Sequence, residues 1–513
     1  MRLSIQEIFE SVHGSYIVAP VSPDEVAQGV TWDSREVEPG NVYLALVGER
    51  VDGHAFVAQA IKAGAACAVV MHDVDADACE AARKMGAAII AVEDTQAAIV
   101  DLARGWRNHL EGRVIALSGS TGKTTTKNLV RDVLGAAGSV VATAGNQNNE
   151  LGVPKTVLNA RADTDSVIVE MGMRGLHQLD ALCAYVRPEW GVLTNVGESH
   201  IELLGSRENI ARAKSELFSS LPEGEGVAFL NIADDFAHFV CDFADVAKRN
   251  VGLVCYDGSA EAEQHMNAFS FDNRTLPFVW ARDIRLDDQG RASFALCAQG
   301  FGQMGLGGEP HLVSVPCKLE LRGIHNVSNA CAAAAVGYAS GMTLAQCAAA
   351  LAAAKPEPGR QDILQSSDHV LSLEDAEVRI PAGITVVDDS YNANPDSMRA
   401  SLATFTALDV AGRRIAVLGD MGELGSFADD CHRRVGAYAA RCGLDLLVCA
   451  GELSAGIAQS AVAAGMSQVD VVELDTAEEA LAYLAPRLRA GDAVLVKASH
   501  FMEFDHIVKG LVG

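Results

Sequence analysis

Ser118-Gly119-Ser120-Thr121-Gly122-Lys123-Thr124-Thr125 lies between an apolar run, Val114 to Leu117, and a helical pattern that reaches Leu134. Strand, glycine loop and helix in that order predict a phosphate-binding turn. The backbone N–H groups from Gly119 through Ser120, Thr121 and Gly122 can curl around phosphate oxygens, and the helix N-terminus at Lys123 to Thr125 adds a favourable dipole. Lys123 can reach the β- and γ-phosphates, and Thr124 can hold Mg²⁺. The usual spacing would put the first glycine where this chain has Leu117; Gly119 serves instead, so the loop is a shortened variant.

Outward from this loop, strand patterns recur at Val140, Ser166 to Val169, Gly191 to Thr194 and Val227 to Asn231, with helical stretches between them. That alternation predicts a doubly wound, mostly parallel sheet, in which the C-terminal ends of the strands face one ligand crevice. Glu170 ends one such strand and is placed to share a magnesium ion with Thr124. His200, in Asn195-Val196-Gly197-Glu198-Ser199-His200, follows the next strand onto the same rim. Lys214, within Ala211-Arg212-Ala213-Lys214-Ser215-Glu216-Leu217-Phe218, reads from spacing alone as a solvated helix lysine. Asn146, Asn148 and Asn149 cluster in a loop after a strand, where amides bind phosphate or peptide or simply make good turns.

Residues 268–320 change character, with alternation such as Phe294 to Cys297 and a glycine-rich loop at Gly300 to Gly308, and predict an antiparallel excursion. Ala330 to Ala354 comes nearest to a membrane span, but Tyr338, Gly341, Thr343 and Gln346 interrupt it. Thr343 and Gln346 make a capping box, so two helices meeting near Gly341 fit better and no membrane insertion is expected. Lys355-Pro356-Glu357-Pro358-Gly359 cannot continue a helix and marks a boundary. Beyond it a second α/β series has strands at Ile384 to Val387, Ile415 to Leu418, Leu446 to Cys449, Val469 to Val472 and Ala493 to Val496. Ahead of the phosphate loop, strand-like Asn41 to Val47, a helical pattern over Ala55 to Ala63 and strands at Ala66 to Met71 and Ala88 to Val92 make a small α/β unit. The expected fold is therefore α/β in three domains: residues 1–109, a central phosphate-loop domain at 110–355, and a Rossmann-like domain at 356–513.

A length of 513 residues agrees with about three domains. The net charge of −27, from 40 basic and 67 acidic side chains, argues against a nucleic-acid binder, and any anionic ligand must be held by local charge or a metal. Twelve cysteines without a C-x-x-C pair fit reduced, mostly buried thiols and a cytosolic setting. Glu7 and Glu10 stand where a signal peptide would need an apolar run. Two further clusters, Gly323-Ile324-His325-Asn326-Val327-Ser328-Asn329 and Asp388-Asp389-Ser390-Tyr391-Asn392-Ala393-Asn394-Pro395, have no chemistry assignable by spacing, though the second is placed as a ligand loop after a strand. The residues alone reach an ATP-dependent enzyme with two further α/β domains.

The ordered set SGSTGKTT, NQNNELGVP, Glu170, the His200 region, ARAKSELF, GIHNVSNA and PEPGR resembles the Mur ligase family, the ATP-dependent amide-bond-forming enzymes of peptidoglycan precursor synthesis, over nearly the whole chain. Asp388 to Pro395 and Val417 to Gly425 resemble the branch that adds D-alanyl-D-alanine to a UDP-N-acetylmuramoyl tripeptide; branches that add a single amino acid carry an Asp-Tyr-Ala-His type motif at Ser390-Tyr391-Asn392-Ala393. The resemblance implies ATP and Mg²⁺ as cofactors and an acyl-phosphate mechanism. It implies that Lys123, Lys214, His200 and Asn149 serve catalysis, that Thr124 and Glu170 hold one Mg²⁺, and that His200 and a carbamylated Lys214 support a second. His325, Asn326 and Asn329 would lie near adenine, and Arg360 and Asp389 would reach the nucleotide. Asp33, Ser34, Arg35, Asp52, Gly53 and His54 resemble the family's uridine-binding segments, and Asn146, Asn392 and Asn394 are expected to meet substrate. A monomer is expected.

Two stretches depart from the family pattern: Lys497-Ala498-Ser499-His500 stands where Lys-Gly-Ser-Arg is usual, and Leu176-His177-Gln178-Leu179 where Gly-Glu-Ile is common. No catalytic role is assigned to either. An amino-acid-adding relative and a non-catalytic nucleotide-binding regulator are the alternatives.

Overall fold

The computed structural model describes every residue except 49, 273–274, 303–305 and 375. Residues 303–305 belong to the glycine-rich loop singled out above, and that part of it lies outside the described residues. Three large sheets organise the chain. The first has strands Ser15–Val18, Ala88–Ala91, Cys67–Val70, Val42–Leu44 and Val30–Thr31 side by side, with Ser15–Val18 antiparallel to its neighbour and the others parallel. Its predicted strand at Asn41 to Val47 is shorter than expected: it ends at Leu44, and Val47 makes only an isolated bridge to Asp52.

The central sheet has nine strands. Arg113–Ser118, which feeds the phosphate loop, lies inside it between Trp190–Leu193 and Ser166–Glu170, parallel to both. Because these strands are covered on both faces, they read as near-continuous apolar runs. Phe278–Leu286, Arg291–Gln299 and Val313–Arg322 extend one end as an antiparallel meander, where alternation had predicted it. Lys123–Gly135, His325–Ala339 and Leu344–Ala353 cover one face. Gly152–Asn159, Gln178–Val186 and Arg207–Ser219 cover the other, in a core continuous with the first unit. The capping box at Thr343 and Gln346 is present, and no helix among the described residues is long and apolar enough to cross a membrane.

The third sheet has six strands in the order Asp362–Gln365, Thr385–Asp388, Ala493–Lys497, Arg414–Gly419, Leu446–Ala450 and Val471–Leu474, all parallel except the first. The last strand begins two residues later than predicted, because Gln468–Asp470 forms a 3₁₀ turn that leaves Val469 83% exposed.

The first unit is fastened to the centre by polar contacts: the Met1 ammonium donates to Leu158 O at 2.6 Å, Trp106 Nε1 to Ala160 O at 3.0 Å, and Arg107 Nε to Val186 O at 2.8 Å. Lys155 lies over the Trp32 ring.

Candidate active site

The phosphate loop leaves Ser118 and turns at Gly119, whose φ of +150° and close approach to the Thr194 hydroxyl exclude a side chain. Gly122, at φ +74°, starts the helix in a left-handed conformation, and a Cβ there would meet Asn329 Oδ1 at 2.7 Å. No side chain caps this helix, so its first N–H groups stay open to an anion. Asn195 clamps the loop from the neighbouring strand end: its Oδ1 accepts from Ser120 N at 3.2 Å and Thr121 N at 2.9 Å, and its Nδ2 donates to Thr121 Oγ1 at 2.6 Å. Lys123 folds back on its own loop, donating to Gly119 O at 2.9 Å. Burial pushes its ammonium pKa down, and the nearby Glu170 carboxylate pulls it back up.

Glu170 is 1% exposed at the end of its strand. Its Oε1 accepts from Thr124 Oγ1 at 3.1 Å and from Asn148 Nδ2 at 2.8 Å, while Oε2 is buried with no hydrogen-bond donor. A hydroxyl beside a carboxylate with one vacant oxygen is the hard-oxygen donor set that Mg²⁺ takes, so these residues fit the metal. Arg360 reaches across from the linker, donates to Thr124 Oγ1 at 3.1 Å and lies 4.3 Å from the centre of the Tyr391 ring.

His200 sits at φ +63° with Nδ1 2.6 Å from Glu423 Oε2, off hydrogen-bond alignment. Arg174 approaches the other oxygen of Glu423 at 3.4 Å. The imidazole holds the Glu423 carboxyl below its ordinary range. Lys214 is 2% exposed, and among the described residues its ammonium has no hydrogen bond or ion pair. Burial, and then repulsion from Lys123, push its pKa well down. The solvated-lysine reading of its spacing is therefore corrected: its helix packs that face inward. Glu216 on the same helix has a different task, accepting from His177 N at 2.6 Å and from Asp180 N at 3.3 Å at the start of Gln178–Val186, in the departing segment noted above.

The phosphate loop from Ser120 onward lines a cleft of about 990 Å³ between the central and third units, together with Glu170, Asn195, His200, Arg360 and Glu423, whereas Gly119, Lys214 and Glu216 are not on its wall. Gly122, Ser120, Thr121, Lys123, Thr124, Thr125, Asn146, Asn149, Glu170, His200, His325, Asn326, Asn329, Arg360, Asp389, Asn392 and Asn394 all face it. Several are already engaged. Asn149 Oδ1 accepts from Gly152 N at 3.0 Å, and Asn329 bridges Thr126 and Asn326. His325 is pushed down to about 4 by burial. Asp389 is bound to Lys497 at 2.7 Å and to Ser401, so its carboxylate faces its own domain's lysine. Asn392 Oδ1 accepts from Ala393 N, and Asn394 caps Pro395–Ala407 while donating to Ser199 Oγ at 2.9 Å.

The remaining predicted residues are elsewhere. None of Asp33, Ser34, Arg35, Asp52, Gly53 or His54 lines the cleft. Arg35 pairs with Asp33 at 2.6 Å on the surface. His54 is spent on structure: Nδ1 lies 2.6 Å from Asp52 and Nε2 accepts from Met71 N at 2.9 Å. Asn195 and Glu423 were given no role from sequence. The strand-end rule that found Glu170 also points to Asn195, whereas nothing local marks Glu423 as the partner of His200.

Three family models match the chain in order: the Mur ligase family catalytic domain over residues 26–107, the Mur ligase middle domain over 117–337, and the Mur ligase glutamate ligase domain over 376–500. The chain belongs to the Mur ligase family, as relatives matching its full length also show. It is 34% identical to the UDP-N-acetylmuramoyl-tripeptide--D-alanyl-D-alanine ligase of Mycobacterium leprae, over 100% of this chain and 98% of that protein. It is 31% identical to the enzyme of that name from Bacillus subtilis, over 100% and 99%. Among solved structures, MurF from Acinetobacter baumannii superposes with a TM-score of 0.79 at 28% identity, covering 100% of this chain and 99% of that one.

Proposed function

We propose that this chain joins D-alanyl-D-alanine to a UDP-N-acetylmuramoyl tripeptide at the expense of ATP, giving the pentapeptide, ADP and phosphate. The observation that carries this reading is the Thr124–Glu170 pair beneath an uncapped phosphate loop, facing a wall built from Asp389 to Asn394 and Gly422 to Leu424. One wall suits nucleotide phosphates and the other a second reactant; the full-length relatives supply the substrate class.

The tripeptide's terminal carboxylate is a poor electrophile until one of its oxygens carries a phosphoryl group. Transfer of the γ-phosphoryl of ATP to that oxygen forms an acyl phosphate and releases ADP. The dipeptide's amine then adds to the carbonyl carbon, and the tetrahedral intermediate expels phosphate with loss of a proton from nitrogen. In this reading the phosphates replace the Gly119 carbonyl as the partner of Lys123, and the open N–H groups of Gly122 to Thr125 carry the charge that develops. Thr124 Oγ1 and Glu170 Oε2 would hold Mg²⁺, which lowers the repulsion between the two anions as they meet. With its pKa lowered by burial, the Lys214 amine would, in its unprotonated form, add CO₂ and lose a proton to become an anionic carbamate; His200 would join it at a second Mg²⁺ once freed from Glu423. Asn149, and Asn146 beside it, would contact the transferring phosphoryl group. Asp33 to Arg35 and Asp52 to His54 would hold the uridine end, with residues 1–109, 110–355 and 356–513 serving the uridine nucleotide, ATP and the dipeptide. A monomer in a reducing cytosol suits the twelve free thiols, all but Cys79 buried.

Incubation with UDP-N-acetylmuramoyl tripeptide, D-alanyl-D-alanine and Mg·ATP is expected to release phosphate and pentapeptide. Release that requires a free amino acid in place of the dipeptide would overturn the assignment, and nucleotide binding without turnover would show a regulator.

A further inference from the structure

Lys127 lies one helical turn beyond Lys123 on the phosphate-loop helix, and its side chain is 1% exposed. The reaction as described gives it no task. Its ammonium donates to Gly145 O at 2.6 Å and stands 3.6 Å from Glu170 Oε2, the carboxylate oxygen that no hydrogen bond occupies. Gly145 opens the loop that carries Asn148. Asn148 donates to Glu170 Oε1 at 2.8 Å, and its own carbonyl accepts from Gly172 N at 2.9 Å. Helix, loop and strand end thus converge on one buried carboxylate, with Lys127 touching two of the three.

We propose that Lys127 is a positioning residue that holds Glu170 ready for the metal. The inference rests on the reading of Thr124 and Glu170 as metal-holding groups. A carboxylate this deeply buried is costly without a counter-charge, and one partner left alone loses most of the benefit of the pair. Lys127 supplies that charge from 3.6 Å, beyond hydrogen-bond reach, so it faces Oε2 while the lone pairs of that oxygen stay open to a cation. Through Gly145 O the same ammonium keeps Asn148 on Oε1, which fixes the rotation of the carboxylate. Orientation of a metal-binding carboxylate by a group outside the coordination sphere commonly alters metal affinity by about 10–100-fold when removed.

The test compares ADP binding to the full-length protein with and without Mn²⁺, by calorimetry, with bound Mn²⁺ followed by electron paramagnetic resonance. Lys127→Met is expected to bind metal-free ADP within about twofold of the parent protein and to lose about tenfold or more of the gain in affinity that Mn²⁺ confers. Lys127→Arg, which keeps the charge, is expected to retain most of that gain. Lys127→Gln takes the place of the methionine variant if the latter does not fold. An equal loss of metal-free and Mn²⁺-dependent ADP binding would show a packing role and overturn the proposal. So would an undiminished Mn²⁺ gain in Lys127→Met when Glu170→Gln abolishes it. An undiminished gain in Glu170→Gln would instead refute the metal-site reading beneath it.

Discussion

The strand-to-helix junctions at Ser118–Lys123 and Asp388–Pro395 hold similar places in two mostly parallel sheets, each following an interior strand and opening onto the shared cleft. Their helix N-termini are finished in opposite ways. At Lys123 the helix starts from a left-handed glycine with no capping side chain. At Pro395 the helix is closed: Asn394 Oδ1 accepts from Ser397 N at 2.8 Å, Ser397 Oγ accepts from Asn394 N at 2.9 Å, and Pro395 has no N–H to satisfy. An open terminus is costly in an empty protein and useful to one that must bind phosphate. A closed terminus is stable by itself and leaves recognition to side chains such as Tyr391 and Asn392. One fold element, used twice, gives the cleft one wall whose helix N–H groups are open and one whose helix start is already satisfied.

The strongest way to break this comparison is to disable the open junction. Lys123→Met is expected to lower kcat at least about 10³-fold, roughly 4 kcal/mol of transition-state stabilisation, in a phosphate-release assay. A loss under tenfold would mean that the uncapped helix is not where the phosphoryl group is handled. Next in size, Lys214→Ala should cost about 10²-fold in turnover, with partial recovery on adding a short carboxylic acid that restores the missing oxygen ligand. Full activity in the variant would remove Lys214 from the metal-supporting set.

His325 gives a smaller, pH-dependent effect on the wall of the open junction. Its pKa is depressed from 6.5 to about 4 in the native state. The unfolded chain therefore binds the proton first as pH falls, and the stability that comes from a neutral His325 is lost progressively between those two values. His325→Asn should show a shallower fall between pH 7 and pH 5 in denaturant titrations, the difference being at most about 2 kcal/mol. Parallel curves would rule out this proton linkage. Smallest, Asn394→Ala should cost about 1 kcal/mol of stability through the lost cap, seen as a small drop in thermal midpoint, with ATP affinity unchanged. Equal losses in stability and ATP affinity would show that the two junctions are not independent.

Much of this division was readable in the chain. The phosphate loop declares itself because glycine placement, a preceding apolar strand and a following helix are local properties, and the strand-end rule put Glu170 beside Thr124 correctly. The antiparallel meander and the break near Gly341 followed from alternation and a capping box. What escaped was set by pairing between distant segments. Asn148, not its neighbours, holds Glu170, a choice made by how the loop folds over the carboxylate. His200 meets Glu423 across more than two hundred residues, and Lys497 neutralises Asp389 from another strand. Lys214 misled because helical spacing does not say which face is covered. Lys127 carried a weak signal, four residues from Lys123 and so on the same side of the helix, which only the buried position of Glu170 gives meaning.

The central claim is that the open junction activates a carboxylate as an acyl phosphate for attack by the ligand of the closed one. The measurement that reaches it most directly uses tripeptide substrate labelled with ¹⁸O in its terminal carboxylate, with D-alanyl-D-alanine and Mg·ATP, and mass analysis of the phosphate released. The account predicts one ¹⁸O atom in each phosphate formed, because the oxygen that received the phosphoryl group leaves with it. Unlabelled phosphate accompanying pentapeptide formation would contradict it.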